Sequence, residues 1–206
     1  MNLNPTVLAP GFADRVHDAQ QTFRVLLDAF AHPTTSQVLR CQVSAPGALT
    51  QGAAALVLAL ADDSTPLWLD PALACDAAVT AWLEFHTGAR VVNDPSGAAF
   101  ALVAAPASLP PLAVFALGTD EAPHTSTTVV VMTGQPTDEV VLGAEGPGFA
   151  EPTLWRSPFP PCFAQQWAAN AAVFPRGVDL VLASDDALVA LPRTTRLTMT
   201  DHTEVR

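Results

Sequence analysis

The order of apolar and polar positions changes period several times along the chain. In "FADRVHDAQQTFRVLLDAFAH" (12–32), Phe12, Val16, Ala19, Phe23, Leu26, Leu27 and Phe30 recur at helical spacing. Asp14, Asp18 and Arg24 fall on other faces, and Pro33 ends the predicted helix. "TSQVLRCQV" (35–43) alternates as a strand does, and "GALTQGAAALVLALAD" (47–62) is apolar nearly all round, which predicts a buried helix. After a short strand, "TPLWL", the stretch 70–88 opens with Asp70 as N-cap and Pro71 at the first helical position, and Gly88 stops it. Trp68, Trp82 and Phe85 are expected in the core.

Beyond Gly88 the pattern turns to strands: "ARVVND", "AAFALVA", "TSTTVVVM" (125–132) and "DEVVLGAEGPGF" (138–149). "SPFPPCFAQQWAANAAVF" (157–174) is a proline-rich loop that becomes a helix, and the loop at 143–161 is the expected flexible excursion. The chain closes with an apolar hairpin turning at 184–186 and a strand "RLTM". Helices come first and strands follow, with one late helix. That order predicts one α/β domain over residues 1–206 with a mixed sheet, not a regular parallel βαβ fold.

Composition narrows the function. Half of the 206 residues are hydrophobic and 14% charged, so the chain can bury a core. A net charge of −11 and the absence of lysine exclude non-specific nucleic-acid binding and polybasic docking to a membrane. The apolar run 98–117 has the length of a membrane span, but Pro106, Pro110 and Pro111 break any helix there. "MNLNPTVLAPGF" has no signal-peptide pattern. Cys41, Cys75 and Cys162 are odd in number and far apart, which fits a reducing cytoplasm, and Cys162 reads as a packed, inert thiol.

Familiar catalytic patterns are missing. "GAEGPG" lacks the Lys-Ser/Thr of a phosphate-binding loop, and the five histidines have no ligand spacing. Without lysine no Schiff base can form on a lysine amine. The hairpin "FPRGVDLVLASDDALVALPRTT" (174–195) stands out instead. Antiparallel pairing about its turn sets Arg176 opposite the Arg193–Thr195 region, gathering two guanidinium groups and two hydroxyls at one sheet end. Such a cluster suits a phosphate or carboxylate. Equally, Asp179 can pair with one arginine and brace the sheet. Arg24 and His32 share a side of the first helix.

Five stretches then occur in order: "DAQQTFRVLLDAFAHP", "LADDSTPLWL", "FHTGA", "FPRGVDLVL" and "LPRTT". Together they resemble the PhnH family, the H subunits of the bacterial carbon–phosphorus lyase system, over nearly the whole chain. One departure is "HPTT", where the resemblance implies a glycine after the proline and Thr34 stands instead. The resemblance implies a three-layer α/β/α fold, locally like pyridoxal phosphate-dependent transferases but without the cofactor lysine. It implies a cytoplasmic protein of organophosphonate catabolism, a homodimer when isolated, with an anion pocket near that interface. It also implies assembly with the G, I and J subunits in a complex that converts an alkylphosphonate and ATP to a ribose 1-phosphonate 5-triphosphate and adenine. Cleavage of the carbon–phosphorus bond belongs to the J subunit. No catalytic residue, metal or cofactor is implied for the H chain. Two readings stay open. The chain is a required, non-catalytic subunit of that complex, or it is a stand-alone enzyme or binding protein for a small phosphorylated or cyclic anion. In the second, Arg24, Arg176, Arg193, Thr194 and Thr195 hold the anion, with Asp179 as brace.

Overall fold

The structure is a computed structural model that describes residues 8–134 and 140–200. The first helix, α1 (Arg15–Ala31), starts where the Asp14 carboxylate accepts from the backbone N–H of Val16 and His17 at 3.1 and 3.0 Å. The predicted strand at 35–43 shortens to β1 (Gln37–Val38). Helix α2 (Gln51–Leu60) is buried over Gly52–Val57, as its all-round apolar pattern requires. Strand β2 (Leu67–Leu69) follows. The stretch 70–88 is two helices, not one: α3 (Pro71–Ala74), capped by Asp70, and α4 (Ala77–Thr87), capped by Asp76. Gly88 ends α4 in the left-handed conformation.

The remaining elements are β3 (Val91–Val92), β4 (Phe100–Val103), β5 (Thr128–Met132), β6 (Val140–Glu145), β7 (Thr153–Ser157), α5 (Cys162–Ala172), β8 (Asp179–Ala183), β9 (Ala187–Leu191) and β10 (Arg196–Met199). Strand β7 lies inside the segment expected to be a flexible excursion; it pairs antiparallel with β6 from Val140↔Ser157 to Ala144↔Thr153. Among the described residues no helix is long and apolar enough to cross a membrane.

The main sheet has seven strands in the order β1-β9-β8-β5-β4-β2-β3. The five from β8 to β3 are parallel, and β9 and β1 add an antiparallel edge. The sheet is therefore mixed. A second antiparallel sheet, β10-β6-β7, was not visible in the sequence pattern.

The main sheet separates two cores, and its central strands feed both. Val130, Met132 and Val181 face the core beneath α1, α2 and α4. Val129, Val131, Leu180 and Leu182 face the core beneath α5 and the small sheet. Burial on both faces explains why these strands read as unbroken apolar runs. Helix α2 comes close enough to the β8–β9 turn that a Cβ on Gly52 would lie 2.3 Å from the Ser184 carbonyl oxygen.

Four apolar residues on the predicted apolar faces are outside the core. Helix α1 packs on α2 and β9 through Thr22, Leu26 and Ala29. Small residues at 22 and 29 let it lie close, and its opposite side leaves Val16, Phe23 and Leu27 65, 46 and 51% exposed. Phe85 is exposed as well, on the outer side of α4, whereas Trp82 is fully buried. Cys162 is exposed at the start of α5 rather than packed.

Candidate functional site

Ligands of open α/β sheets commonly sit at the carboxyl ends of the parallel strands. Here a hollow of about 800 Å³ lies at that end, walled by 10–13, 42–45, Leu49, Gln51 and Asp185. The helix start that could hold an anion there, the N-terminus of α2, is already saturated. The N–H of Gln51 donates to Asp185 Oδ1 (2.9 Å) and that of Gly52 to the Ser184 carbonyl (2.9 Å). Those of Ala53 and Ala54 donate to the Thr50 hydroxyl and carbonyl.

The more elaborate cavity is at the opposite end, where β8 begins and β9 finishes. It is an open groove of about 670 Å³. Its walls are Phe30 and Ala31 of α1, the turn at Pro123–His124, Pro147 and Gly148, Phe174 and Pro175, and Pro192 to Thr194. The glycine-rich loop after β6 thus serves packing rather than phosphate binding. A Cβ on Gly148 would meet Pro33 Cδ at 2.5 Å and the Ala31 carbonyl oxygen at 2.8 Å. Four prolines stiffen the walls, and Phe174 is 62% exposed at the groove.

Arg193 forms the floor. Its Nε donates to both carboxylate oxygens of Asp179, at 3.1 and 3.2 Å, and Nη2 to Asp179 Oδ2. Nη2 also donates to Ser126 Oγ (2.6 Å), and Nη1 to the carbonyls of Pro123 (3.1 Å) and Pro175 (3.2 Å). The Arg193 backbone N–H adds a bond to Asp179 Oδ1 at 2.8 Å. Every guanidinium N–H is thereby engaged by the protein. The pair is largely shielded, with side chains 13% (Arg193) and 20% (Asp179) exposed.

The other expected site residues are scattered. Arg176 is half exposed and bonds through Nε to the exposed Asp120 carboxylate at 3.2 Å. Thr194 lines the groove. Thr195 is fully buried beside it, and its carbonyl accepts from Trp167 Nε1 at 2.8 Å. The Thr195 hydroxyl has no partner among the described residues. Arg24 is exposed on α1, one to two turns before Phe30, and does not line the groove. The structure therefore brings Arg193, Asp179 and Thr194 together and leaves Arg24 apart. Sequence reasoning missed Phe30, Phe174 and Ser126. Only the proline-flanked aromatic at 174 gave a signal, and it reads equally well as an ordinary turn.

Residues 10–198 match the family described as bacterial phosphonate metabolism protein (PhnH). A protein of Rhizobium meliloti (strain 1021) is 40% identical over 203 residues, covering 96% of this chain and 98% of its own length. The chain belongs to the PhnH family. That relative is named alpha-D-ribose 1-methylphosphonate 5-triphosphate synthase subunit PhnH. The match to this PhnH relative covers both cores and every wall of the groove.

Proposed function

We propose that this chain is a required, non-catalytic subunit of the carbon–phosphorus lyase core complex of organophosphonate catabolism. It works in the cytoplasm with the G, I and J subunits, which carry the conversion of alkylphosphonate and ATP to ribose 1-phosphonate 5-triphosphate and adenine. Isolated from them it is a homodimer. The observation that carries this reading is the full-length match to a relative whose name is that of a synthase subunit. The exposed apolar side of α1 supports it, since a long helix seldom leaves three large apolar residues in water without a partner. Residues 1–206 act as one unit because both cores share the main sheet. The likeness to pyridoxal phosphate-dependent transferases is taken as one of shape, as the chain has no lysine to carry the cofactor. Co-expression with the G, I and J subunits, followed by size-exclusion chromatography, tests the assembly. Stoichiometric co-elution is expected; clean separation would overturn it.

The second reading, an anion site at the hairpin, keeps one observation in its favour. Thr194 stands on the groove wall, and the guanidinium of Arg176 is half exposed where it meets the Asp120 carboxylate through Nε. Titration calorimetry with phosphate and methylphosphonate tests it. Binding that Arg176→Ala abolishes would favour this reading, and no heat would remove it.

A further inference from the structure

Near the end of α4 stands a histidine with one ring nitrogen fixed and the other open. The Ala9 carbonyl accepts from Trp82 Nε1 at 2.8 Å and lies 3.0 Å from His86 Nε2. A carbonyl only accepts, so Nε2 carries the proton of the neutral ring and Nδ1 keeps its lone pair. Trp82 lies against the imidazole with ring centroids 4.7 Å apart, and Phe85 meets it edge-on at 5.0 Å. Nδ1 is on the side of Gly11, where a Cβ would come within 3.1 Å of it. Gly11 and His86 are two walls of a cavity of about 110 Å³; Phe12, Arg15 and Leu58 complete it.

We propose that this cavity binds a small tetrahedral oxyanion of the sulfate or phosphate class, held between the Arg15 guanidinium and a proton taken up on His86 Nδ1. Two basic side chains line it and no acidic one does, in a chain that carries −11. The size suits an ion of four oxygens and excludes a nucleotide, since pockets for drug-sized ligands begin at about 300 Å³. His86 is in the last turn of α4, where the carbonyl end of the helix favours a positive ring.

The surrounding charges leave the pair free to act. Residues 9–12 and Leu58 bring none. Glu84, two residues back on α4, falls on another side of that helix. Asp14 is committed to the N–H groups of Val16 and His17, and Asp62 to Ser64 and Thr65. Asp63 lies against Gly88, past the end of α4, and does not line the cavity. The bare lone pair on Nδ1 repels an oxyanion, whereas Nδ1–H donates a charge-assisted bond to it. The ion must therefore arrive with a proton, and its binding weakens as pH rises.

Sulfate is the probe, because its charge stays fixed between about pH 6 and 8 while that of a phosphate does not. Titration calorimetry is run on the Arg176→Ala chain, so that heat at the hairpin does not enter. One sulfate per chain is expected. Its affinity should fall with rising pH toward about tenfold per unit, the limit for one proton, and the heat should change with the buffer as proton uptake requires. His86→Gln keeps a donor toward the Ala9 carbonyl but has no Nδ1, and should remove the pH dependence. Arg15→Gln should weaken binding about tenfold at every pH and keep that dependence. Gly11→Ala should abolish binding by filling the space beside Nδ1. Arg15 is exposed, so its variant should melt as the parent does by circular dichroism and serves even where a change at 86 unfolds the chain. Absence of sulfate heat at about pH 6, an affinity that ignores pH, or binding unchanged by Arg15→Gln and Gly11→Ala would each overturn the proposal. The site shares no residue with the groove and goes beyond the subunit reading. Co-elution with G, I and J can therefore fail while sulfate binds, and the reverse.

Discussion

Arg193 shows how a residue chosen on sequence as a ligand for anions can be engaged otherwise. Its guanidinium holds the Asp179 carboxylate and three other acceptors, two in the turn at 123–126 and one at Pro175. Removing one partner of a shielded ion pair leaves the other charge uncompensated, at about 3 kcal/mol. Arg193→Ala should therefore lower the urea-unfolding free energy by about that amount; a loss below about 1 kcal/mol would mean that water replaces the bonds. Thr34 makes the opposite point. The family resemblance implies glycine there, and Thr34 adopts φ 62°, a conformation that a β-branched side chain disfavours. Thr34→Gly relieves that cost and loses some chain entropy, so a net gain of about 0.5–1 kcal/mol is expected in thermal unfolding.

Among the elements, Asp70 is the cap with the most at stake. It is buried, accepts the Leu73 N–H at 2.9 Å to start α3, and accepts the Ala104 N–H at 2.8 Å beyond β4. Asp70→Ala leaves two donors unsatisfied and should cost about 2–4 kcal/mol, measured by chemical denaturation. This cap was legible because Asp-Pro before an apolar run has one common structural meaning. The break between α3 and α4 was not, because Cys75 and Asp76 sit within a run whose helical period continues across them. Strand β7 was hidden for a different reason. "TLWRS" is short and lies between Gly-Pro-Gly and Pro-Pro, and only its pairing with β6 makes it a strand. Periodicity also named the apolar residues of α1 without saying which of its two apolar sides turns inward. That depends on the small residues Thr22 and Ala29 meeting α2 and β9, a tertiary fact.

For the whole molecule, the α/β class and the mixed sheet could be read from the order of elements, because doubly buried strands have a distinctive composition. The outer layer of the second face could not: the antiparallel small sheet depends on long-range pairing of β10 with β6. The two faces also differ in chemical access. Cys41 is buried against Thr22 in the first core, and burial raises its thiol pKa, whereas Cys75 and Cys162 are exposed. An aromatic disulfide reagent at neutral pH should titrate two thiols quickly and the third only at the rate of opening of that core; three fast thiols would show the core to be loose. The Arg193 floor has a further consequence, in time rather than in energy. Its acceptors at Pro123 and Ser126 lie 70 and 67 residues away along the chain, and the bonds need the Pro175 turn and the start of β8 to be in place already. Such a junction closes after the sheet has formed and is absent at the folding barrier. Arg193→Ala should then hasten unfolding while leaving the refolding rate almost unchanged in stopped-flow traces, so that this one arginine sets how long the native molecule persists.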